Sequence, residues 1–186
     1  MASLMNELLE VLENEEAGYR ELVEASTRKK EVIIKADIRA LEEITAEEQE
    51  IAGKIKNIEN KRISIMEDIA NVLNRKPEDL TVDALLEILA NQPKEQEQLA
   101  KIRLQLKDTL TEMKNINEQI HYTGQYLANK SIYADYRKSR NKEKFYDDHR
   151  AELTLYESAL RILKEKSQGK KLPTLKMLHE EKNRLT

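Results

Sequence analysis

Apolar residues recur along this chain in steps of three and four, the period of a helix that buries one stripe and solvates the rest. The first such stretch carries Leu4, Met5, Leu8, Leu9, Leu12, Tyr19, Leu22, Val23, Val32, Ile33 and Ile34, with Ser3 placed to cap it. The pattern wavers around Ala36-Asp37. Thr45-Ala46-Glu47-Glu48 then reads as a capping box, in which Thr45 and Glu48 satisfy each other's exposed amides. Ile51, Ile55, Ile58, Arg62, Ile65, Ile69 and Val72 alternate steps of four and three, a heptad seam interrupted only by Arg62. Lys76-Pro77 predicts the stop of that helix, because proline clashes with the preceding turn.

Thr81 caps a short helix with Val82, Leu85, Leu86, Ile88 and Leu89, and Pro93 suits the first turn of another long one. That helix carries Leu99, Ile102, Leu106, Leu110, Met113, Asn117 and Ile120. Further on, Ser131 predicts the cap of a short helix and Asn141 the cap of a longer one bearing Phe145, His149, Leu153, Tyr156, Leu160 and Leu163. Gly169 would end it, and Leu172-Pro173-Thr174 would start a last helix with Leu175, Leu178 and Leu185. The pattern predicts an all-α protein, an elongated antiparallel helical hairpin or bundle with coiled-coil-like packing, in which 77–92 supplies the turn. A stripe this long needs another helix to cover it, so self-association into a homo-oligomer or capture of a partner is expected.

Composition changes this picture near residue 120. Residues 1–120 hold 17 Lys+Arg against 26 Asp+Glu and a single aromatic, Tyr19. Residues 121–186 hold 15 against 9, with all three histidines and seven of the eight aromatics. Two segments are therefore expected, an acidic helical hairpin over 1–120 and a basic, tyrosine-rich helical tail over 121–186. With no cysteine, the sequence excludes disulfides and thiol chemistry. Met1-Ala-Ser-Leu-Met lacks the charged start and apolar run of a signal peptide, and no segment approaches the apolar length of a membrane span, so a cytoplasmic protein without membrane insertion is expected.

Candidate chemistry is sparse. There is no glycine-rich phosphate loop, nucleophile elbow or metalloprotease helix, so the chain does not read as an enzyme and no cofactor is implied. His121, His149 and His179 stand apart in sequence and read as packed or surface residues rather than metal ligands. The acidic run Glu42, Glu43, Glu47, Glu48 and Glu50 reads as a solvated helix face. Between Tyr133 and Tyr146, cations interleave with aromatics, which is the pattern of a nucleic-acid surface or of a helical corner whose rings pack inward. On the first of these, Arg137, Lys138 and Arg140 would be the phosphate contacts, although nucleic acid is not the expected partner.

Residues 1–119 resemble a flagellar export chaperone of the FlgN type. The resemblance is carried by Leu8-Leu9-Glu-Val-Leu-Glu-Asn-Glu-Glu with Tyr19 following, by Lys29-Lys30-Glu-Val-Ile-Ile-Lys-Ala-Asp37-Ile-Arg-Ala-Leu41, by Glu47-Glu48-Gln49-Glu50, and by Asn115-Ile-Asn117-Glu118-Gln119. It implies a cytosolic protein that binds the C-terminal helices of hook-associated (hook–filament junction) proteins and brings them to the flagellar export apparatus. The family's binding surface, carried over, begins with Leu110, Met113, Ile116, Asn117 and Ile120. After Gln119 the chain departs from that pattern with Ile120-His121-Tyr122-Thr-Gly-Gln-Tyr. Residues from about 112 to 186 resemble a helical segment C-terminal to the nuclease domain of plasmid and transposon relaxases. Ile120-His-Tyr-Thr-Gly-Gln-Tyr-Leu127, Tyr133-Ala-Asp-Tyr136-Arg137-Lys138 and Phe145-Tyr-Asp-Asp-His149-Arg-Ala-Glu152-Leu carry this second likeness. It implies an accessory segment of a DNA mobilisation protein, or a chaperone fused to such a tail, without nicking activity.

Overall fold

A computed structural model describes residues 2–166; Gly169, His179 and the last helix expected from Leu172 lie outside them. The described chain is all-α, with six helices in the order α1 (Ala2–Lys35), α2 (Ile38–Val72), α3 (Val82–Ile88), α4 (Pro93–Lys138), α5 (Lys142–Asp148) and α6 (Arg150–Lys166). Short 3₁₀ turns at Pro77–Asp79 and Leu89–Asn91 flank α3. The chain forms two compact units. The first joins Met1–Ala25 with Thr45–Lys114, and the second joins Ser26–Ile44 with the described residues from Asn115 onward.

In the first unit, the stripes of α1, α2 and α4 meet in one apolar core with the segment between them. Leu8, Val11, Ile69, Leu85 and Leu99 are almost entirely buried there. Side chains fix the helix directions. Arg62 meets Glu15, Tyr19 meets Glu59, and Gly18 lies against Ile55, so α2 runs antiparallel to α1. Glu16 meets Thr109, which ties α4 to α1 within this unit. A methyl group on Gly18 would stand 2.9 Å from Cγ1 of the buried Ile55, so its missing side chain sets how closely α1 and α2 approach. The heptad seam of α2 holds from Ile51 to Ile69, but Val72 is 56% exposed because the helix ends there.

In the second unit, α4 and α6 bring Tyr126, Tyr156 and Ala159 into a small aromatic core. Tyr156 is the middle ring, stacked at 5.0 Å from Tyr126 and 4.3 Å from Tyr133. The end of α1 packs beside α4 here, with Lys30 Nζ donating to Gln119 Oε1 at 3.0 Å.

Several helix ends differ from those the sequence predicts. Ser3, Thr45 and Ser131 are not caps: each lies inside a continuous helix, and the Ser3 hydroxyl donates to Glu7. The break between α1 and α2 falls at Ala36, whose φ of 56° is left-handed, and Asp37 then accepts from the amide of Ala40. The end of α2 is set before Lys76-Pro77 by Asn74 at φ 52°, with the Arg75 amide reaching back to the carbonyl of Ala70. Both ends are Schellman motifs, which satisfy the last carbonyls through one left-handed residue. Thr81 and Asn141 do cap, each accepting an amide at 3.1 Å. The helix after Asn141 is nevertheless broken at His149, where the backbone leaves helical geometry between α5 and α6.

Candidate functional site

The buried polar residues of the first unit, Glu15, Glu16 and Thr109, hold its three long helices in register. Glu15 and Glu16 occupy the gap in the α1 stripe between Leu12 and Tyr19, and both are buried. Glu15 accepts from Arg62 Nε at 2.8 Å, which explains the cation interrupting the α2 seam. Burial pushes the Glu15 carboxyl above the usual carboxylate range, and Arg62 offsets part of that rise. Glu16 accepts from the Thr109 hydroxyl at 2.9 Å and from Arg20. Burial, with a 2.6 Å hydrogen bond to Glu59, raises the Tyr19 hydroxyl far above the usual phenol range. Sequence periodicity missed Glu15, Glu16 and Thr109; the signal was the empty three-to-four step after Leu12.

Thr109 also decides which face of α4 is free. With Leu99, Ile102 and Thr109 turned to the core, Leu110 is left 40% exposed and Leu104 59% exposed. The five residues expected to bind a partner are divided between the units. Leu110 and Met113 belong to the first, whereas Ile116, Asn117 and Ile120 belong to the second. Met113, Ile116 and Ile120 are half-buried, and Asn117 is exposed.

Leu110 lines a groove of about 560 Å³ in the first unit. Leu12 of α1, Val82 of α3 and Leu106 of α4 provide its apolar surface, and Arg103, Lys107 and Lys114 stand around it. These cations recur on α4 at spacings of four and seven, one helical face beside Leu106 and Leu110, so the groove had a signal in the sequence. A second groove of about 300 Å³, between α1 and α2, is lined by charges of both signs: Glu21, Lys54 and Lys61.

In the second unit, Arg137 and Lys138 are exposed in the last turn of α4, and Arg140 is exposed in the following loop. The aromatics interleaved with them are engaged within the unit. Tyr133 stacks on Tyr156, while Tyr136 lies 6.3 Å from both Phe145 and Tyr146. These rings are half-buried, and the three cations face solvent. Burial, then a hydrogen bond with Tyr126, drives the Tyr156 hydroxyl well above the usual phenol range. His149 is half-buried, stacked on Phe145 at 4.3 Å with Nδ1 3.1 Å from the Phe145 carbonyl. The acidic run on α2 forms surface ion pairs at Arg39–Glu43 and Glu50–Lys54. Among the described residues, no three His, Asp or Glu side chains gather closely enough to hold a metal ion, and no helix is long and apolar enough to cross a membrane.

Neither the curated proteins nor the solved structures contain a match to this chain. A family model does match: FlgN protein, over residues 1–123. That span takes in the whole first unit and ends within α4, four residues after the point where the sequence departs from the FlgN pattern. Covering 123 of 186 residues, the match shows that the chain belongs to the FlgN family of flagellar export chaperones.

Proposed function

We propose that this chain is a cytoplasmic chaperone that binds the C-terminal helices of hook-associated proteins and presents them to the flagellar export apparatus. The supporting observation is the FlgN match together with the outward turn of Leu110 on α4, which leaves apolar surface uncovered at the first residue of the binding stripe that the resemblance implies. It acts by burial rather than by catalysis. The partner's apolar helix face is shielded from premature assembly, and charged neighbours keep the complex in solution. At about 25 cal/mol per Å² of apolar area, less the cost of association, a surface of this kind supports a Kd on the order of micromolar.

Calorimetric titration of the full chain with the C-terminal region of a hook-associated protein tests the reading. Binding is expected, and Met113→Glu with Ile116→Glu is expected to weaken it at least about tenfold by placing carboxylates against apolar surface. Unchanged affinity in that double variant would show that the stripe beginning at Leu110 is not the contact.

A further inference from the structure

We propose that the groove formed by Leu12, Val82, Leu106 and Leu110 seats an amphipathic helix whose apolar stripe is flanked by carboxylates. The inference takes from the chaperone reading that a helix is what this surface captures, and it adds where that helix sits and which charge it carries. The first unit is acidic, with 21 Asp+Glu against 12 Lys+Arg. The groove at Leu110 is nonetheless lined by three cations and by no carboxylate. Arg103 is held at the α3 edge by Asp83 at 2.6 Å. Lys107 and Lys114 form no ion pair among the described residues. Thr111, the remaining polar lining residue, donates its hydroxyl to the Lys107 carbonyl at 2.8 Å. The groove therefore offers an incoming helix apolar area and positive charge, and little else.

Geometry narrows the ligand further. Lys107 and Lys114 are seven residues apart, about 10 Å along α4 at the rise of an α-helix. Carboxylates two turns apart on a helix lying along α4 would meet both ammonium groups, while leucines between them fill the space beside Leu106 and Leu110. A basic ligand would meet repulsion at the groove, whereas elsewhere on this acidic unit it would be attracted. Charge thus selects the site as well as the ligand. Because the lysines are exposed, the preference depends on ionic strength.

Two synthetic helical peptides with the same leucine stripe, one flanked by glutamates and the other by lysines, test this on the full chain by fluorescence anisotropy. The glutamate peptide is expected to bind tighter on the order of tenfold at low salt, with the two converging at high salt. Lys107→Glu with Lys114→Glu should reverse the preference while circular dichroism stays unchanged. Equal affinities, no binding of either peptide, or a preference that survives the double reversal would each overturn the proposal. The hook-associated region is titrated in parallel. If it fails to bind while the glutamate peptide binds, the assigned client is wrong and the groove stands. If it binds equally to wild type and the lysine reversals, and the peptides do not discriminate, the chaperone reading stands and the groove falls.

Discussion

Arg62 occupies a seam position where a coiled coil buries an apolar side chain, and its guanidinium is accommodated because Glu15 lies 2.8 Å away. The pair is unequal: the Arg62 side chain is 32% exposed and that of Glu15 only 6%. Removing the arginine would strand a buried carboxylate, whereas removing both charges would leave apolar contact. Arg62→Met is therefore expected to destabilise by about 2 kcal/mol at neutral pH, below the cost of a fully buried pair because Arg62 reaches solvent. Glu15→Leu with Arg62→Met should recover most of the loss, and urea unfolding measures both. The pH dependence has a definite sign. A carboxyl whose folded pKa lies above its unfolded value binds its proton more tightly when folded, so Glu15 favours the folded state as pH falls into that window and costs stability as pH rises through it. Without Arg62 the folded pKa rises further, so the Arg62→Met deficit should be largest at neutral pH and shrink in acid. None of this pairing was visible to periodicity alone. A step from Leu106 to Thr109 and one to Leu110 are equally helical, and only the opposing Glu16 turns Thr109 inward.

At the scale of the helix, the capping residues that held were those with a side-chain acceptor at a real chain reversal, Thr81 and Asn141. Thr45 and Ser131 carry the same chemistry but sit within helices whose stripes continue on both sides, and packing of a continuous stripe outweighs a single cap. The two left-handed C-terminal residues were the harder feature to read, because neither is glycine. Ala36 at φ 56° carries a Cβ in a conformation that glycine adopts without penalty. Ala36→Gly is expected to raise stability by about 1 kcal/mol, while Asn74→Gly should change little, since asparagine tolerates this region. Two of the three helical glycines among the described residues, Gly18 and Gly53, make an opposed pair. At Gly53 nothing lies within 4 Å of an added Cβ, so Gly53→Ala should gain about 1 kcal/mol in helix propensity. At Gly18 the same gain meets Ile55, and overpacking should make Gly18→Ala destabilising on balance by about 1 kcal/mol. Thermal unfolding of the two variants side by side separates propensity from packing.

At the scale of the whole molecule, α1 and α4 pass through both units without a break, and continuous periodicity gave no sign of where one unit ends. What differs is the material each buries. The first unit closes a core of branched and long aliphatics drawn from α1, α2, α3 and α4, including Leu8, Ile69, Leu85 and Leu99. The second rests on a smaller cluster around Tyr126, Tyr156 and Ala159. Local opening free energy follows buried apolar contact, so protection should be unequal along a single helix. Hydrogen exchange is expected to be slower on the order of ten- to a hundredfold in α4 around Leu99–Thr109 than around Tyr122–Tyr133. Tyr156→Ala removes the ring stacked between Tyr126 and Tyr133, at a cost of about 3 kcal/mol or more for a large buried aromatic. It should abolish slow exchange in α6 and the C-terminal half of α4 while leaving α2 from Ile51 to Ile69 protected. Uniform loss across α2 as well would mean that the chain opens as one cooperative body, and the aromatic cluster would then be part of the stability of the chaperone core itself.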